Sequence, residues 1–253
     1  MTRDYRYWHW CWSLVTLAGL SGGWLGETSK ALAQAPAATA EPDVQAPATV
    51  VPAPREGEWW TNRHESFNHR VQQGNVDLLF IGDSITHDWE GRGKDVWDKH
   101  FAPRNAVNLG IGGDRTQHVL WRLEHGNLAG IHPKLAVLMI GTNNSNGDDH
   151  TAGEIADGIR AIVAKLRQEQ PQMKVLLLAI FPRGPEPNAQ REKNAEASRL
   201  ASQAADGEMV NYLDIGDRFL AEGGKLPPEI MYDYLHLTPA GYALWAEAIE
   251  PHV

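Results

Sequence analysis

The sequence predicts an α/β protein in which a parallel sheet lies between two layers of helices. Two observations lead to this fold class: five short apolar runs end at turn-forming residues, and patterns with a helical period separate these runs. Nearly continuous apolar runs are typical of strands that are buried on both faces of a parallel sheet. Alternation of such strands with helices produces a three-layer α/β/α sandwich.

The expected strands are short, and each ends at or near a turn-forming residue. The clear runs cover residues 76–81, 134–140, 174–180 and 209–213, and a weaker run covers residues 106–109. Glycine, proline or aspartate follows each run within two residues. We therefore expect a five-stranded parallel sheet.

Helical patterns lie between these runs, over residues 116–123, 152–168, 188–205 and 239–249. The longest pattern places Ile155, Ile159 and Leu166 on one face, which is the spacing of an amphipathic helix. Thr151 followed by Glu154 predicts a capping box at its start. Thr238 followed by Pro239 predicts the start of the last helix.

The first 33 residues differ in composition from the rest of the chain. Arg3 and Arg6 precede an apolar segment that leads to the small residues Ala31 and Ala33. This is the pattern of a secretory signal peptide, and we expect cleavage after Ala33 and export to the periplasm or the extracellular space. The alternative is an uncleaved membrane anchor, although polar residues interrupt the apolar segment before it could span a bilayer.

Residues 34–55 are rich in alanine and proline, with five prolines between Gln34 and Pro54. Such a composition cannot bury a core and is typical of an extended spacer. We expect a linker over residues 34–55 and a folded domain over residues 56–253.

Charge and cysteine content exclude several classes of protein. The chain has 23 basic and 32 acidic residues, a net charge of −9, and no run of four basic residues, which argues against a nucleic-acid partner. Its single cysteine, Cys11, excludes an intrachain disulfide framework and a cysteine zinc knuckle. Eleven histidines leave a metal-dependent hydrolase as an alternative, but no His-Glu-x-x-His spacing supports it.

Polar residues follow the first three strands at the edge where reactive groups gather in such folds. Gly82-Asp83-Ser84 offers a serine at a sharp turn, although Asp and Ser at this position are equally typical of a helix N-cap. The glycines of residues 110–114 expose backbone N–H groups, unless they form a plain turn. Asn143 offers a side-chain amide to the same crevice, although asparagine is common in turns.

Asp233 and His236 lie three residues apart, close to the C terminus. This spacing brings a carboxylate and an imidazole together on one turn, as a general base needs when an acid orients it. The alternative is a pair that only stabilises a loop.

The order and spacing of these motifs resemble the SGNH, or GDSL-type, serine hydrolase superfamily. The shared features are a serine in Gly-Asp-Ser, a glycine after the second strand, an asparagine in Gly-x-Asn and a C-terminal Asp-x-x-His. Within it, four segments look like the catalytic subunits of intracellular platelet-activating-factor acetylhydrolase Ib: residues 110–123, 141–144, 181–184 and 234–238. The similarity runs from about Gly57 to the C terminus.

This resemblance implies a serine esterase with a flavodoxin-like sheet and with no metal or organic cofactor. It implies Ser84 as the nucleophile, His236 as the general base and then acid, and Asp233 as the residue that orients His236. The oxyanion hole would consist of the N–H groups of Ser84 and Gly113 and the Asn143 amide. The resembling family forms dimers, so a homodimer is also implied.

The expected substrate is a small ester that carries a short acyl group, most simply acetyl. An exported esterase would meet O-acetylated carbohydrate, and tryptophans could supply stacking faces for sugars or could instead pack in the core: Trp59, Trp60, Trp89, Trp97 and Trp121. The alternatives are a PAF-like short-chain phospholipid acetylhydrolase and a non-catalytic, secreted carbohydrate-binding module. Three arginines, Arg115, Arg122 and Arg183, could line the mouth of the site or be ordinary surface and helix residues.

Overall fold

Within residues 46–253, five parallel strands form one sheet between layers of helices. The computed structural model describes residues 46–253. The strands are β1 (Leu78–Gly82), β2 (Ala106–Gly110), β3 (Leu135–Met139), β4 (Lys174–Leu178) and β5 (Val210–Leu213). All pairs are parallel and the order is β2-β1-β3-β4-β5, which is the flavodoxin-like order. The predicted fold class is therefore confirmed.

Seven α-helices accompany the sheet within the described residues. They are α1 (Glu58–Gln72), α2 (Ser84–His87), α3 (Lys94–His100), α4 (Thr116–Arg122), α5 (Ala152–Glu169), α6 (Ala189–Ala201) and α7 (Pro239–Ile249). Helices α4 to α7 lie where the sequence predicts them, whereas the prediction did not include α1, α2 and α3. Helix α1 buries Trp60, Phe67 and Val71, which recur at a helical period.

The two faces of the sheet pack into two separate apolar clusters. In β1, Leu79 and Ile81 belong to the cluster formed with α1, α4, α5 and α6, while Leu78 and Phe80 belong to the cluster formed with α3 and α7. Neighbouring side chains of a strand point to opposite faces, so a strand that is covered on both sides must be apolar at every position. This requirement explains the continuous apolar runs.

Aromatic rings dominate the cluster on the α7 side. Trp89 lies 4.5 Å from Tyr242 and 4.9 Å from Trp245, measured between ring centroids, and all three side chains are fully buried. The Tyr242 hydroxyl donates a 2.6 Å hydrogen bond to the carbonyl of Ile85. This bond joins α7 to α2, so the chain that leads into α7 is held in register with the carboxyl end of β1.

Both predicted helix caps are present. Glu154 N–H donates to Thr151 Oγ1 at 3.2 Å, and the Glu154 carboxylate accepts the Thr151 N–H at 2.8 Å, which completes a capping box at α5. Gly241 N–H donates to Thr238 Oγ1 at 3.2 Å, and Pro239 occupies the first turn of α7.

The segment before α1 differs from its prediction as a free linker. We call residues 47–57 the N-terminal strap. Thr49 is fully buried and its carbonyl accepts the Thr116 hydroxyl at 2.9 Å, while the Ala53 N–H donates to the Gln117 carbonyl at 3.2 Å. Polar contacts with α4 therefore fix these residues of the strap, although its composition offers no apolar core. The domain boundary between residues 55 and 56 stays a prediction.

The expected signal peptide at residues 1–33, its cleavage after Ala33, Cys11 and residues 34–45 of the linker lie outside the described residues. Export therefore stays a prediction. The homodimer also stays a prediction, because the structure contains one chain. Among residues 46–253, no helix is both long enough and apolar enough to cross a membrane.

Because the strap packs on α5, we expect alanine substitutions at two glycines of this helix to have different effects on stability. A methyl group on Gly158 would overlap Thr116 Oγ1 and lie 2.8 Å from the Thr49 carbonyl oxygen. We expect Gly158→Ala to lower the free energy of unfolding by about 1–3 kcal/mol, because the strap must shift to admit the methyl group. Chemical denaturation followed by circular dichroism measures this change.

Gly153→Ala is the matched control, because its methyl group would approach only Thr151 Oγ1, at 3.9 Å. Alanine favours helix there, so stability should stay within about 1 kcal/mol of the parent or rise. Equal losses in the two variants would contradict the packing of the strap on α5.

Candidate active site

The predicted site residues meet at the carboxyl edge of the sheet. Ser84 follows β1, Gly113 follows β2 and Asn143 follows β3, while Asp233 and His236 lie on the loop that leads into α7. Strand β1 is the point where the strand order reverses, since the chain continues to β2 on one side and to β3 on the other. Crevices at such a point are the usual binding sites of this architecture.

Ser84 is the first residue of α2, and Asp83 caps this helix. Oδ1 of Asp83 accepts the Ile85 N–H at 3.0 Å, and the Asp83 carbonyl accepts the His87 N–H at 2.8 Å. Asp83 is therefore the cap of α2, and Ser84 is left to face the crevice. Any side chain on Gly110 would overlap the backbone of His87, so glycine at the end of β2 lets α2 lie against that strand.

Ser84, His236 and Asp233 form one chain of hydrogen bonds. Ser84 Oγ lies 2.8 Å from His236 Nε2, and His236 Nδ1 lies 2.7 Å from Asp233 Oδ2. Because an ionised carboxylate only accepts hydrogen bonds, Nδ1 carries the proton and Nε2 accepts the Ser84 hydroxyl. This is the arrangement in which a base can take the proton of a nucleophile.

A tight loop fixes the contact between His236 and Asp233. Oδ1 of Asp233 accepts the backbone N–H groups of Leu235 and His236, at 3.1 Å and 2.7 Å. Tyr234, between Asp233 and Leu235, is in the left-handed region with φ of 62°, a conformation that non-glycine residues adopt only when their surroundings demand it. Partial burial raises the pKa of Asp233, but the hydrogen bonds from His236 outweigh burial and hold it below its ordinary value.

Backbone N–H groups are available beside Ser84. Neither the Ser84 N–H nor the Gly113 N–H donates to another residue within 46–253. The loop that carries Gly113 is close, since a β-carbon on Gly112 would lie 3.7 Å from Ser84 Cβ. Asn143 Nδ2 donates to the Asp114 carbonyl at 2.9 Å, so one of its two amide hydrogens is engaged and the second is left for a ligand.

Asp114 anchors the loop after β2, which we call the glycine loop (residues 110–114). Its side chain is fully buried, and it accepts Trp60 Nε1 on one oxygen and Arg122 Nε on the other, each at 2.8 Å. Its carbonyl accepts Asn143, as described above. One residue therefore joins α1, α4 and the loop after β3 to the loop that carries Gly113.

The three arginines left open by the sequence have different roles. Arg122 is fully buried on Asp114 and also donates to Asn127 at 2.9 Å, so it belongs to the core and not to the mouth of the site. Arg115 pairs with Asp149 at 2.5 Å. Arg183 donates to Thr142 and Asn146, at 3.2 Å and 3.1 Å, and holds the loop after β3.

The five tryptophans differ in how much of each side chain is exposed. Trp60 and Trp89 are buried and Trp97 and Trp121 are half-buried, whereas 56% of Trp59 is exposed. Trp59 stacks against His87, and its Cη2 atom would lie 3.8 Å from a β-carbon on Gly112, the same point that is 3.7 Å from Ser84 Cβ. Trp59 is therefore an exposed ring beside Ser84.

A second exposed ring lies beside His236. Tyr232 is 43% exposed and stacks on the His236 ring, with 6.1 Å between centroids. Within the described residues, Trp59, Tyr232 and Val51 are the exposed large apolar side chains. Two of these three thus flank the Ser84–His236 pair.

Two further histidines, His64 and His118, belong to the packing of the fold. Burial lowers the pKa of His64 to about 4 and that of His118 to about 3, so both rings are neutral at pH 7. His118 Nδ1 accepts the Arg115 N–H at 2.9 Å. Across residues 46–253, no group of three or more His, Cys, Asp or Glu side chains is arranged to hold a metal ion.

Sequence reasoning missed two polar residues at this site. Arg55 of the strap donates to the Gly112 carbonyl at 2.6 Å, and a free linker would not place it there. Asp83 is fully buried, and its Oδ2 atom has no hydrogen-bond partner in the described part of the chain. The residue before a nucleophile at a strand end is a candidate for such burial, which could have singled out Asp83.

The burial of Asp83 should make the stability of the fold depend on pH. Burial raises the pKa of this carboxyl from its ordinary value of 3.8 to about 7 in the folded chain. Between these two values the unfolded chain has lost a proton that the folded chain keeps, so stability decreases as the pH rises through this window. Asp83→Asn removes this titration and still offers an oxygen to the Ile85 N–H.

We therefore expect the stability of Asp83→Asn relative to the parent to increase from pH 4 to pH 7 and then to level off. Denaturant titrations at a series of pH values measure it. Asp77→Asn is the control, because hydrogen bonds from Asn105 and Lys134 lower the pKa of the partly exposed Asp77, and its titration lies below this window. A flat difference between Asp83→Asn and the parent would mean that Asp83 is ionised in the fold.

Comparisons with known proteins identify the family of this protein. A family model described as GDSL-like lipase/acylhydrolase matches residues 80–244. The chain is 41% identical to platelet-activating factor acetylhydrolase IB subunit alpha1 of Homo sapiens over 187 residues, which are 72% of this chain and 78% of that protein. It is 40% identical to subunit alpha2 of Rattus norvegicus over 185 residues, 73% and 79% of the two chains.

Solved structures share the fold. A GDSL-like lipase from Bacteroides thetaiotaomicron superposes with a TM-score of 0.58 at 20% identity, covering 75% of this chain and 95% of that one. A carbohydrate acetylesterase from Sinorhizobium meliloti superposes with a TM-score of 0.56 at 21% identity, covering 70% and 97%. The family match and the identity to the acetylhydrolase subunits together assign the chain: it belongs to the GDSL-like lipase/acylhydrolase family and is a serine ester hydrolase.

Proposed function

We propose that the chain hydrolyses short acyl esters, with acetyl as the preferred acyl group, through an acyl-enzyme formed on Ser84. The observation that carries this proposal is the unbroken hydrogen-bond chain from Ser84 Oγ through His236 to Asp233. A pure binding module has no need of such a hydrogen-bond chain, whereas a serine nucleophile needs a base, and His236 Nε2 lies 2.8 Å from Ser84 Oγ.

The reaction has two halves. Ser84 Oγ attacks the ester carbonyl while His236 Nε2 takes its proton, and the tetrahedral adduct collapses as His236 returns that proton to the leaving alcohol. Water then enters, gives a proton to His236 and attacks the acyl-enzyme, and the acid leaves as Ser84 regains its proton. Asp233 holds the protonated Nδ1 and stabilises the imidazolium that forms in each half.

The negative charge of each tetrahedral adduct needs donors that are already in place. The N–H groups of Ser84 and Gly113, which have no partner within residues 46–253, supply two, and the remaining amide hydrogen of Asn143 supplies the third. Loss of one donor of this kind typically costs about 10²–10³ in turnover. Catalysis of this kind therefore requires the glycine loop, which carries the Gly113 N–H, as well as Ser84.

Ser84→Ala tests this mechanism. We expect kcat for p-nitrophenyl acetate to fall by at least about 10³-fold, because the residues of a triad act as a unit. We also expect a fluorophosphonate probe to label the parent and not the variant. Both measurements use purified protein with folding checked by circular dichroism.

Ser66→Ala is the control, since Ser66 is exposed and its hydroxyl only donates to the Arg63 carbonyl. It should keep parental turnover and labelling. Undiminished hydrolysis by Ser84→Ala would refute the proposed nucleophile.

The substrate class is a further part of the proposal: an O-acetylated carbohydrate. Relatives described as acetylhydrolases and a fold neighbour described as a carbohydrate acetylesterase both act on acetyl groups. Two exposed rings, Trp59 and Tyr232, flank the Ser84–His236 pair, and aromatic faces of this kind pack against the apolar face of a sugar. Export, which residues 1–33 predict, would bring the enzyme to such substrates.

Trp59→Ala tests the carbohydrate part. We expect KM for an acetylated xylo-oligosaccharide to rise by up to about tenfold, as the loss of one aromatic stacking contact would cause. The rate with p-nitrophenyl acetate should change little, and Trp59→Phe should keep most of the affinity.

The rival substrate is a short-chain phospholipid of the kind that the curated relatives are named for. Efficient hydrolysis of such a phospholipid beside poor hydrolysis of acetylated sugars would refute the carbohydrate part. It would leave the acyl-enzyme mechanism in place.

A further inference from the structure

Arg55 makes three contacts with the glycine loop. Its Nη1 atom donates to the Gly112 carbonyl at 2.6 Å and lies 3.5 Å from Asp114 Oδ1. A β-carbon on Gly113 would lie 3.1 Å from Nη1 and 3.3 Å from Nη2, so the guanidinium packs directly on the Gly113 backbone. Arg55 belongs to the strap, outside residues 80–244 of the family match.

The hydrogen bond to Gly112 acts on the neighbouring N–H group through the geometry of the peptide. The carbonyl of Gly112 and the N–H of Gly113 belong to one planar, trans peptide unit, so the two groups point in opposite directions. A carbonyl that is held towards Arg55 therefore turns the Gly113 N–H away from Arg55. That N–H has no partner among residues 46–253, and Ser84 Cβ is close to the preceding residue.

Without such an anchor the orientation of this peptide would be poorly defined. Glycine lies on both sides of it, and glycine tolerates backbone rotations that other residues resist. Gly113 already has φ of 79°, in the region that favours glycine. A charged donor on the carbonyl also polarises the peptide and makes its N–H a stronger donor.

We propose that Arg55 is a positioning residue that orients the Gly113 N–H as an oxyanion donor through its hydrogen bond to the Gly112 carbonyl. The inference rests on the proposed function, because it assigns Arg55 a part in the same oxyanion hole. It also makes the N-terminal strap part of the catalytic machinery.

The test compares Arg55→Met, which removes the donor and keeps most of the side-chain volume, with Arg55→Lys, which keeps a charged donor. We expect Arg55→Met to lower kcat for p-nitrophenyl acetate by about tenfold or more with KM within about twofold, since a misplaced oxyanion donor affects the transition state more than the bound ester. Arg55→Lys should recover most of the lost turnover.

Affinity for a transition-state analogue provides the second readout. A boronic acid that forms a tetrahedral adduct with serine should bind Arg55→Met more weakly, by the same factor as the fall in kcat/KM. Binding of the product acetate should stay unchanged. Active-site titration and circular dichroism keep these values on a per-folded-enzyme basis.

Arg63→Met is the matched control. Arg63 Nε donates to the Gly110 carbonyl at 2.9 Å, so it anchors the same loop two residues earlier. The N–H of that peptide belongs to Ile111 and already donates to the Gly82 carbonyl. Arg63→Met should therefore keep parental kcat, although it removes a comparable hydrogen bond.

Three results would overturn the inference: parental kcat in Arg55→Met, a rise in KM with kcat unchanged, or an equal loss of kcat in Arg63→Met. Ser84→Ala separates this failure from a failure of the proposed function. If Ser84→Ala is inactive while Arg55→Met is fully active, only the role of Arg55 is refuted. If Ser84→Ala keeps its activity, the proposed function and the role of Arg55 fail together.

Discussion

The buried ion pair between Asp114 and Arg122 is the interaction on which the site depends most. Both side chains are fully buried, so each charge depends on the other and on a few neighbours for compensation, among them Arg55, which lies 3.5 Å from Asp114 Oδ1. Breaking such a pair by removing one partner typically costs 3–5 kcal/mol, because the other charge stays buried without its partner. Here the pair also fixes the loop that carries Gly113, and the Asp114 carbonyl holds the Asn143 side chain. The same residue, Asp114, therefore contributes to the packing of the core and to the placement of two proposed oxyanion donors.

The sheet brings the remaining parts to the same edge. Strand order places the ends of β1, β2 and β3 side by side, although Ser84 and Asn143 are far apart in the sequence. The C-terminal loop arrives from the other end of the chain, and the bond from the Tyr242 hydroxyl to the Ile85 carbonyl ties its helix to the helix of Ser84. A 2.8 Å contact between Ser84 and His236 thus follows from packing on the α7 face, whereas the oxyanion donors follow from packing around Asp114.

Much of this architecture is predictable from local sequence. Leu79 and Phe80 face opposite sides of the sheet and both must be apolar, so their continuous apolar run indicates a buried parallel strand. The candidate residues Ser84, Asp233 and His236 follow from the order of the motifs. The strap is not predictable in the same way. Its residues are mostly proline, alanine and valine with a few polar groups. Thr49 and Arg55 become ordered only because their partners on α4 and the glycine loop exist in the folded domain. Helix α1 is harder to predict, because Trp60, Phe67 and Val71 are the few buried apolar residues in a segment that is otherwise mostly polar.

The claim that joins all these observations is that the acyl group passes through Ser84. Rapid-quench mass spectrometry of the enzyme mixed with excess p-nitrophenyl acetate, followed by peptide mapping, tests it most directly. The account predicts a transient acetyl group on the peptide that contains Ser84, formed and lost at rates that match turnover. Acetyl on a different residue, or steady turnover with no enzyme-bound acetyl when deacylation limits the rate, would contradict it.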